Sequence, residues 1–380
     1  MHNIMTKIMD TANLELCMDE NHRCYPSEKD SLYQVVDSWM SRLDDEAPVS
    51  SLSIPGTHDS AAYTQPWPFV ATQNMDFTQQ LESGIRYFDL RCGLVHDVAE
   101  MVHGPYLLGL KLHDVLHILC QWLDAHLTEG LVVQIKEDRE AEQSELHFAH
   151  AIYEHISTRP ERWRTANTTP CVGELRGKIQ LLRRYDGPES MAYGIDVTAW
   201  QDNPNTPFTI YTQHEVQLTI QDHYSYSEPL SLPSLITSKG GDVSGLLEKA
   251  TSDSDLGHWY INFTSAFEFN LFYQLTPRAI AVGGYYGFRW EDGINPRLRN
   301  YLNMRPGKRR LGIVAMDFPQ AGSEDLIPTI IRSNFTTHET GPRKFFSALL
   351  VLVASLAIWL WAIEHNIYLR CDSNTTVQYA

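Results

Sequence analysis

Short apolar runs alternate with helical patterns along most of the chain. One predicted helix lies in LKLHDVLHILCQWLDAH, where a single helical face carries Leu112, Val115, Leu116, Leu119 and Leu123. The segment SELHFAHAIYEHI has similar spacing, and a further helix is predicted over 32–43. Repeated strand and helix units of this kind predict an α/β fold built on a parallel sheet, closed or open. The predicted strands lie in seven apolar runs, SSLSI in the 51–55 region, IRYFDLR, LVVQIK, KIQLLRR, WYINFT, IAVGGYY and LGIVAMD.

Several of the apolar runs end in a polar or charged residue. A charge deep in a barrel core would cost several kcal/mol unless it were paired. At the C-terminal ends of parallel strands the same residues would converge on the mouth of a TIM-type barrel, where that fold carries its chemistry. We therefore expect one site that contains His58, Arg91, Lys136, Arg184 and Asp317.

One segment near the C-terminus departs from this pattern. Residues 345–363 read FFSALLVLVASLAIWLWAI, without a charge. As a helix, at roughly 1.5 Å per residue, the segment would span about 28 Å, close to the hydrocarbon thickness of a bilayer. Trp359 and Trp361 fit an interfacial aromatic belt at one end. We expect a transmembrane helix rather than a buried core helix, because core helices are seldom apolar on every face.

The flanks of this segment predict its orientation. Arg343 and Lys344 precede it, and positive flanks favour the cytosolic side. The N-terminus has no apolar stretch followed by a small-residue cleavage site, so we expect no signal peptide. These features predict a single-pass membrane protein with its large N-terminal part in the cytosol. A GPI signal is less favoured, because a polar tail follows the apolar stretch.

Composition limits the possible partners. The formal net charge of −17 argues against nucleic acid and against simple electrostatic adsorption to anionic lipid, since the long-range field repels both. The 6 cysteines form no close CxxC pair, so neither a zinc site nor a disulfide framework is indicated. GxGxxG and GxxxxGK[ST] patterns do not occur, which gives nucleotide binding no support. The sequence points to no protein partner.

Two histidines and an arginine form a plausible set for phosphodiester cleavage. His58 and Asp59 follow the first predicted strand in IPGTHDS, Arg91 ends a later one, and His103 lies in VHG. One imidazole can take a proton from an attacking hydroxyl while the other protonates the leaving oxygen. A guanidinium can stabilise the charge on phosphate. Any one of the 16 histidines taken alone would more often be structural.

The ordered motifs resemble the X region of phosphatidylinositol-specific phospholipases C, and among them the bacterial, single-domain, metal-independent branch. The resemblance spans residues 36–331. It implies a distorted or partly open TIM-barrel-like (β/α)8 domain over 31–340, after a poorly ordered acidic extension at 1–30 and before a short polar tail at 364–380. Its motifs are IPGTHDS, GIRYFDLR, VHG, IKED, GKIQLLRRY, IQDHY, INFTSA, INPRLRNYL and LGIVAMDF.

The resemblance implies roles for the catalytic set. His58 would be the general base that deprotonates the inositol 2-hydroxyl, oriented by Asp317. His103 would be the general acid for the diacylglycerol oxygen, with Asp59 as its partner. Arg91 would stabilise the phosphate. The implied products are inositol 1,2-cyclic phosphate and diacylglycerol, with slow hydrolysis of the cyclic product left open.

The remaining site residues would hold the substrate. Asp89 would support the arginine, and the inositol ring would contact Lys136, Arg184, Asp222 and Tyr224. The substrate would be phosphatidylinositol or a related inositol lipid in a membrane. No cofactor and no metal are expected, because a guanidinium occupies the place where calcium-dependent relatives hold a cation. Trp67 and Phe69 follow His58 and could either enter the bilayer or pack under their loop.

Two other functions remain open from the sequence. One is a catalytically inactive inositol-lipid-binding or scaffold protein on the same fold, although the complete catalytic set argues against it. The other is a barrel phosphodiesterase that acts on glycerophosphodiesters or sphingolipids. Such enzymes normally need a carboxylate cluster that binds metal, and the sequence around Arg91 does not suggest one.

Overall fold

The computed structural model describes residues 36–191 and 193–336, together with the short antiparallel strand pair Cys17–Met18 and Cys24–Tyr25. Most of the predicted extension at 1–30, the predicted transmembrane segment at 345–363 and the tail at 364–380 lie outside the described residues. Among the helices of the described part, none is long and apolar enough to cross a membrane.

Eight parallel strands form the centre of the fold and follow one another around it in chain order. Most of them are buried along nearly their whole length, which is why most appear in the sequence as short runs rich in apolar residues. The strands are β1 (Ser53–Thr57), β2 (Tyr87–Val95), β3 (Leu131–Glu137), β4 (Ile179–Arg184), β5 (Ile195–Asp196), β6 (Gln217–Gln221), β7 (Trp259–Phe263) and β8 (Gly312–Met316).

The ring of strands closes between β8 and β1 but stays open between β5 and β6. Thr57 at the end of β1 pairs with Met316 at the end of β8. Beyond β6 lies an antiparallel strand, Phe208–Tyr211, and within 36–191 and 193–336 no strand pairing joins it or β6 to β5. The result is a distorted, partly open (β/α) barrel, as predicted from the sequence.

Helices pack outside the strands. On α2 the five positions predicted to share a face are all buried, which confirms that amphipathic pattern. The helices are α1 (Phe77–Glu82), α2 (Leu112–Ala125), α3 (Phe148–Thr158), α4 (Val172–Leu175), α5 (Leu232–Ser252), α6 (Pro277–Ala281), α7 (Ile294–Asn303) and α8 (Leu326–Arg332), with short 3₁₀ turns at Val36–Arg42, Val49–Ser51, Pro160–Arg162 and Glu189–Met191.

Two sequence-based expectations differ in detail. The helix predicted over 32–43 is, in its described part, a 3₁₀ helix at Val36–Arg42 that is kinked at Ser38. The run IAVGGYY is no barrel strand: α6 ends at Ala281, and Gly283–Tyr286 pairs with Arg289–Asp292 in a separate hairpin. Its tyrosines are exposed, so the run lacks the buried faces of a central strand.

Further hairpins extend from the barrel. Val98–His103 pairs with the end of β2 and with Tyr106–Lys111, so β2 and these two strands form an antiparallel extension. Trp163–Arg164 lies beside β4, and Glu268–Phe269 pairs with Gln274–Leu275.

Candidate active site

The first imidazole lies where β1 ends. Because β1 and β8 pair in register, the residues that follow them, His58 and Asp317, meet at one edge, and His58 Nδ1 lies 2.7 Å from Asp317 Oδ1. Burial alone would lower the pKa of His58, as does Arg91, but the Asp317 carboxylate outweighs both and the net pKa is raised. When Nδ1–H donates to Asp317, Nε2 carries the lone pair that can accept a proton.

The two turns that carry this pair have unusual backbone geometry. Asp59, after His58, has φ +40°, and Phe318, after Asp317, has φ +43°, a region that non-glycine residues seldom adopt. Before His58, a Cβ on Gly56 would come within 2.6 Å of the Tyr87 ring, so the strand needs glycine there to approach β2. The motif IPGTHDS thus has a local steric reason for its glycine.

The second imidazole lies at the end of the hairpin strand Val98–His103. His103 Nδ1 donates to the carbonyl of Val70 at 2.7 Å, and the same atom lies 3.3 Å from Asp59 Oδ2. Burial lowers the pKa of His103 to about 4, helped by the charges of Arg91 and His58. Burial raises the pKa of Asp59 to about 7, and neither of its carboxylate oxygens accepts a hydrogen bond from the described residues.

The arginine lies between these groups on β2. Asp89 and Arg91 are two residues apart on one strand and therefore face the same side, and Arg91 Nε donates to Asp89 Oδ2 at 3.1 Å. Asp89 also accepts from the backbone N–H of Asp59 at 3.0 Å and from Gln134 Nε2 at 2.8 Å. Burial would raise the pKa of Asp89, but Arg91 and His58 lower it to about 2, so this fixed anion orients the guanidinium.

A cavity of about 370 Å³ opens in front of the catalytic set. Its lining includes both predicted catalytic histidines, Arg91 and Asp317, whereas Asp59 and Asp89 lie fully buried behind it. The other predicted site residues also line it, namely Lys136, Arg184, Asp222 and Tyr224. The structure therefore brings together all ten residues that the sequence singled out, eight at the cavity wall and two directly behind it.

The far side of the cavity is held by aromatic and acidic contacts. The Arg184 guanidinium lies 4.3 Å from the centre of the Trp200 ring, and Trp200 Nε1 donates to Asp222 Oδ2 at 2.9 Å. Tyr224 Oη donates to Asp202 Oδ1 at 3.0 Å. Burial, with the charges of Arg91 and Arg184, lowers the pKa of Lys136. This wall can hydrogen-bond a polyol from several directions.

Sequence reasoning missed three residues at this wall. Asp138 pairs with Lys136, lies 4.0 Å from Arg91 and lines the cavity. Its position two residues after Lys136 in IKED was the available signal. Asp202 lines the cavity. Trp200 does not line it, but its Nε1 donates to the lining residue Asp222. Both lie in a loop after β5, where no apolar pattern identified a strand end.

Two phenylalanine side chains line the cavity, and other aromatic side chains close to them in the sequence are exposed. Trp67 is 64% exposed, and Phe69 stacks edge-to-face on Phe269 with ring centres 5.2 Å apart. Phe267 lines the cavity and Phe272 is exposed. Of the two placements that the sequence left open, Trp67 therefore projects to solvent, and Phe69 packs within a partly exposed aromatic cluster.

The charges of the site favour an anionic group with a hydroxylated neighbour. Arg91, Lys136 and Arg184 bring positive charge to the cavity wall, where an anion can bind. Asp138 and Asp222 lie at the same wall and can accept hydrogen bonds from hydroxyl groups. In the described part of the chain, no group of three or more His, Cys, Asp or Glu side chains has the geometry to hold a metal ion. An acid, a base and a guanidinium on one cavity are the groups that acid–base cleavage of a phosphodiester requires.

The chain is similar to a family model and to two named proteins. The family model described as "Phosphatidylinositol-specific phospholipase C, X domain" matches residues 46–185. The 1-phosphatidylinositol phosphodiesterase of Listeria monocytogenes is 30% identical over 312 residues, which is 78% of this chain and 84% of that protein. The protein of the same name from Staphylococcus aureus (strain Newman) is 28% identical over 320 residues, 80% of this chain and 96% of that one.

A solved structure has the same fold. A variant of phosphatidylinositol-specific phospholipase C from Staphylococcus aureus superposes with a TM-score of 0.68 at 26% identity. The superposition covers 80% of this chain and 99% of the solved one. The likeness therefore extends over nearly the whole of that protein.

Proposed function

Because the chain belongs to the phosphatidylinositol-specific phospholipase C family and is a phosphodiesterase of that type, we propose that it cleaves phosphatidylinositol to diacylglycerol and inositol 1,2-cyclic phosphate. The main support for this proposal is that the His58–Asp317 pair, Arg91 and His103 all line the same cavity. The printed names of two relatives supply the substrate class, since both are called 1-phosphatidylinositol phosphodiesterase.

The proposed reaction is an internal transfer at phosphorus. His58 Nε2 takes the proton of the inositol 2-hydroxyl, whose oxygen then forms a bond to phosphorus. The bond from phosphorus to the glycerol oxygen breaks, and His103 supplies the proton that this oxygen needs. Arg91 stabilises the negative charge that develops on the phosphate oxygens, and Asp317 stabilises the imidazolium formed at His58.

His103 can act as the acid only when it is protonated. Without substrate its pKa is lowered to about 4, so the free imidazole is mostly neutral near pH 7. A phosphodiester anion beside Arg91 offsets the positive charges that lower the pKa and therefore favours protonation of His103. Asp59, whose pKa is raised to about 7, lies 3.3 Å away and can hold a proton close to that imidazole.

We assign substrate contacts to the opposite wall. Lys136, Arg184 and Asp222 would hydrogen-bond the inositol hydroxyls, and the Tyr224 ring would stack on the face of the inositol. Asp89 would keep the Arg91 fork directed at the phosphate. The Arg91 guanidinium would repel a divalent cation at the same phosphate, so we propose that the reaction proceeds without a metal.

Phosphorus NMR tests this proposal directly. Purified full-length protein in detergent is mixed with phosphatidylinositol micelles in excess EDTA, and the signal of the cyclic phosphate is followed. We expect cyclic product under chelation and a loss of several orders of magnitude in turnover for His58→Ala, with little change for His117→Ala, which lies exposed on α2. Activity that needs added calcium would refute the metal-free mechanism. No product under either condition would favour a lipid-binding protein.

We also propose that residues 345–363 anchor the protein in a membrane, with the catalytic barrel in the cytosol. The support is the uncharged apolar run and its positive flank. A tether explains how a chain of formal net charge −17 can work on an anionic lipid that repels it. Membrane association that resists salt and yields to detergent is the expected behaviour.

A further inference from the structure

Lys239 is a fully buried lysine in the middle of α5, close behind the cavity wall. Its ammonium donates to Gln221 Oε1 at 2.9 Å and to the carbonyl of His223 at 2.7 Å. Burial lowers the pKa of Lys239 to about 8, against the raising effect of Asp222, Asp242 and Asp317. Because burying a charge is unfavourable, a lysine at this position needs a compensating contribution from its contacts.

The first acceptor of Lys239 connects two barrel strands. Gln221 ends β6, and its Nε2 donates to Asn262 Oδ1 and to the carbonyl of Phe263, both at 2.8 Å, at the end of β7. Its Oε1 also accepts from the backbone N–H of His223 at 2.9 Å. The ammonium therefore completes a buried hydrogen-bond network at the point where β6 becomes a loop.

The second acceptor lies inside the loop that carries two proposed substrate contacts. We call residues 221–226 the inositol loop, since it contains Asp222 and Tyr224. Asp222 and Tyr224 line the cavity, whereas His223, between them, bonds to Asp242 of α5 with Nδ1 2.9 Å from Oδ2.

Tyr226 Oη donates to the same Asp242 oxygen at 2.7 Å. Lys239 and Asp242 are three residues apart and thus on one face of α5, so this helix holds both the backbone and the side chains of the inositol loop.

We propose that Lys239 is a positioning residue for substrate binding, whose buried ammonium fixes the inositol loop and thereby places the Asp222 carboxylate and the Tyr224 ring. This inference rests on the proposed function, because it assumes that the loop contacts the inositol ring. Lys239 does not line the cavity, so it acts through the loop and not on the reacting atoms. Removing it should therefore weaken substrate binding more than it slows the chemical step.

The experiment compares Lys239→Met with wild type in the full-length protein. Short-chain phosphatidylinositol below its critical micelle concentration serves as substrate, so membrane contact does not enter the KM. Since the buried acceptors lose their donor, we expect KM to rise by about tenfold while kcat stays within about threefold. Lys249→Met, on the exposed side of the same helix, is the matched control and should leave both constants unchanged. Lys239→Gln keeps N–H donors without the charge and should restore part of the binding.

The outcomes separate the two hypotheses. Wild-type protein that does not turn over phosphatidylinositol would refute the proposed function itself. Wild-type turnover, with a folded Lys239→Met variant whose KM is unchanged or whose kcat alone falls, would overturn only the role of Lys239. If Lys239→Met does not fold, the same criterion is applied to Lys239→Gln. If neither variant folds, Lys239 is a residue of stability alone and the positioning role is wrong.

Discussion

At the scale of single residues, the His58–Asp317 pair predicts how the activity depends on pH. The pKa of His58 is raised above its usual 6.5, because Asp317 outweighs burial and Arg91. A base must be neutral to accept a proton, so activity should fall as the pH falls through this raised pKa. We expect the acid limb of the kcat/KM profile of wild type to lie above pH 6.5.

Asp317→Asn removes the contribution that raises this pKa. Burial and Arg91 then dominate, so the pKa of His58 falls and the acid limb moves to lower pH. The amide also ceases to stabilise the imidazolium, and kcat should drop by about 10²-fold or more. Asp325→Asn, which affects a partly exposed ion pair with Arg299, is the control. An acid limb that stays in place in Asp317→Asn would show that another group controls it.

At the scale of secondary-structure elements, the strands that the sequence predicted are those with several apolar residues close together. The runs at β1 to β4, β7 and β8 were recognised from their clusters of apolar residues. β5 has two residues, and β6 has only Leu218 and Ile220 as apolar residues, separated by Thr219, so neither gives an apolar run. The helix α5 was missed, since its interior glycines weaken the helical pattern.

The same distinction holds for the site. The rule that polar residues follow apolar strands identified His58 and Asp317, which come directly after β1 and β8. It also identified Arg91, which lies in the middle of β2 because that strand continues to Val95. Trp200 and Asp202 come from an irregular loop, and the sequence gives no register for such a segment. His103 was found from its motif, although it lies on an added hairpin and not on a barrel strand.

Glycines in two of these elements should respond to alanine in opposite directions. A Cβ on Gly56 in β1 would lie 2.6 Å from Tyr87 Cδ1, and both residues are buried, so Gly56→Ala should destabilise the protein by about 1–3 kcal/mol. A Cβ on Gly245 in α5 would meet nothing within 4 Å. Gly245→Ala should therefore stabilise the protein by roughly 0.5–1 kcal/mol through helix propensity.

Urea unfolding of both variants and wild type, with equal m-values, measures these differences. A neutral Gly56→Ala would mean that β1 and β2 can separate without loss. A destabilising Gly245→Ala would mean that the open face of α5 is covered in solution.

At the scale of the whole molecule, side chains span the opening of the barrel where strand pairing stops. The loop after β5 reaches the inositol loop through Trp200, whose Nε1 bonds Asp222. Asn203 accepts from the backbone N–H groups of Tyr224 and Ser225, both at 2.9 Å. The separation of Arg184 and Asp222 is thus set by side-chain contacts across the gap. An open barrel can therefore still present a defined substrate wall, held by this loop on one side and by α5 on the other.

The net charge of the whole chain and its apolar segment together predict how the protein is held at a membrane. A purely electrostatic attachment would be released by about 1 M salt, which shortens the Debye length to roughly 3 Å. We expect the full-length protein to stay with the membrane pellet in such salt and at alkaline pH and to be released by detergent, because residues 345–363 would span the bilayer. A chain ending at residue 340 should remain in the supernatant.

Protease added to sealed membranes with their cytosolic face outward should degrade the barrel, whereas a protected barrel would reverse the proposed orientation. Release by salt alone would refute the anchor and leave exposed aromatic side chains such as Trp67 as the remaining candidates for membrane contact.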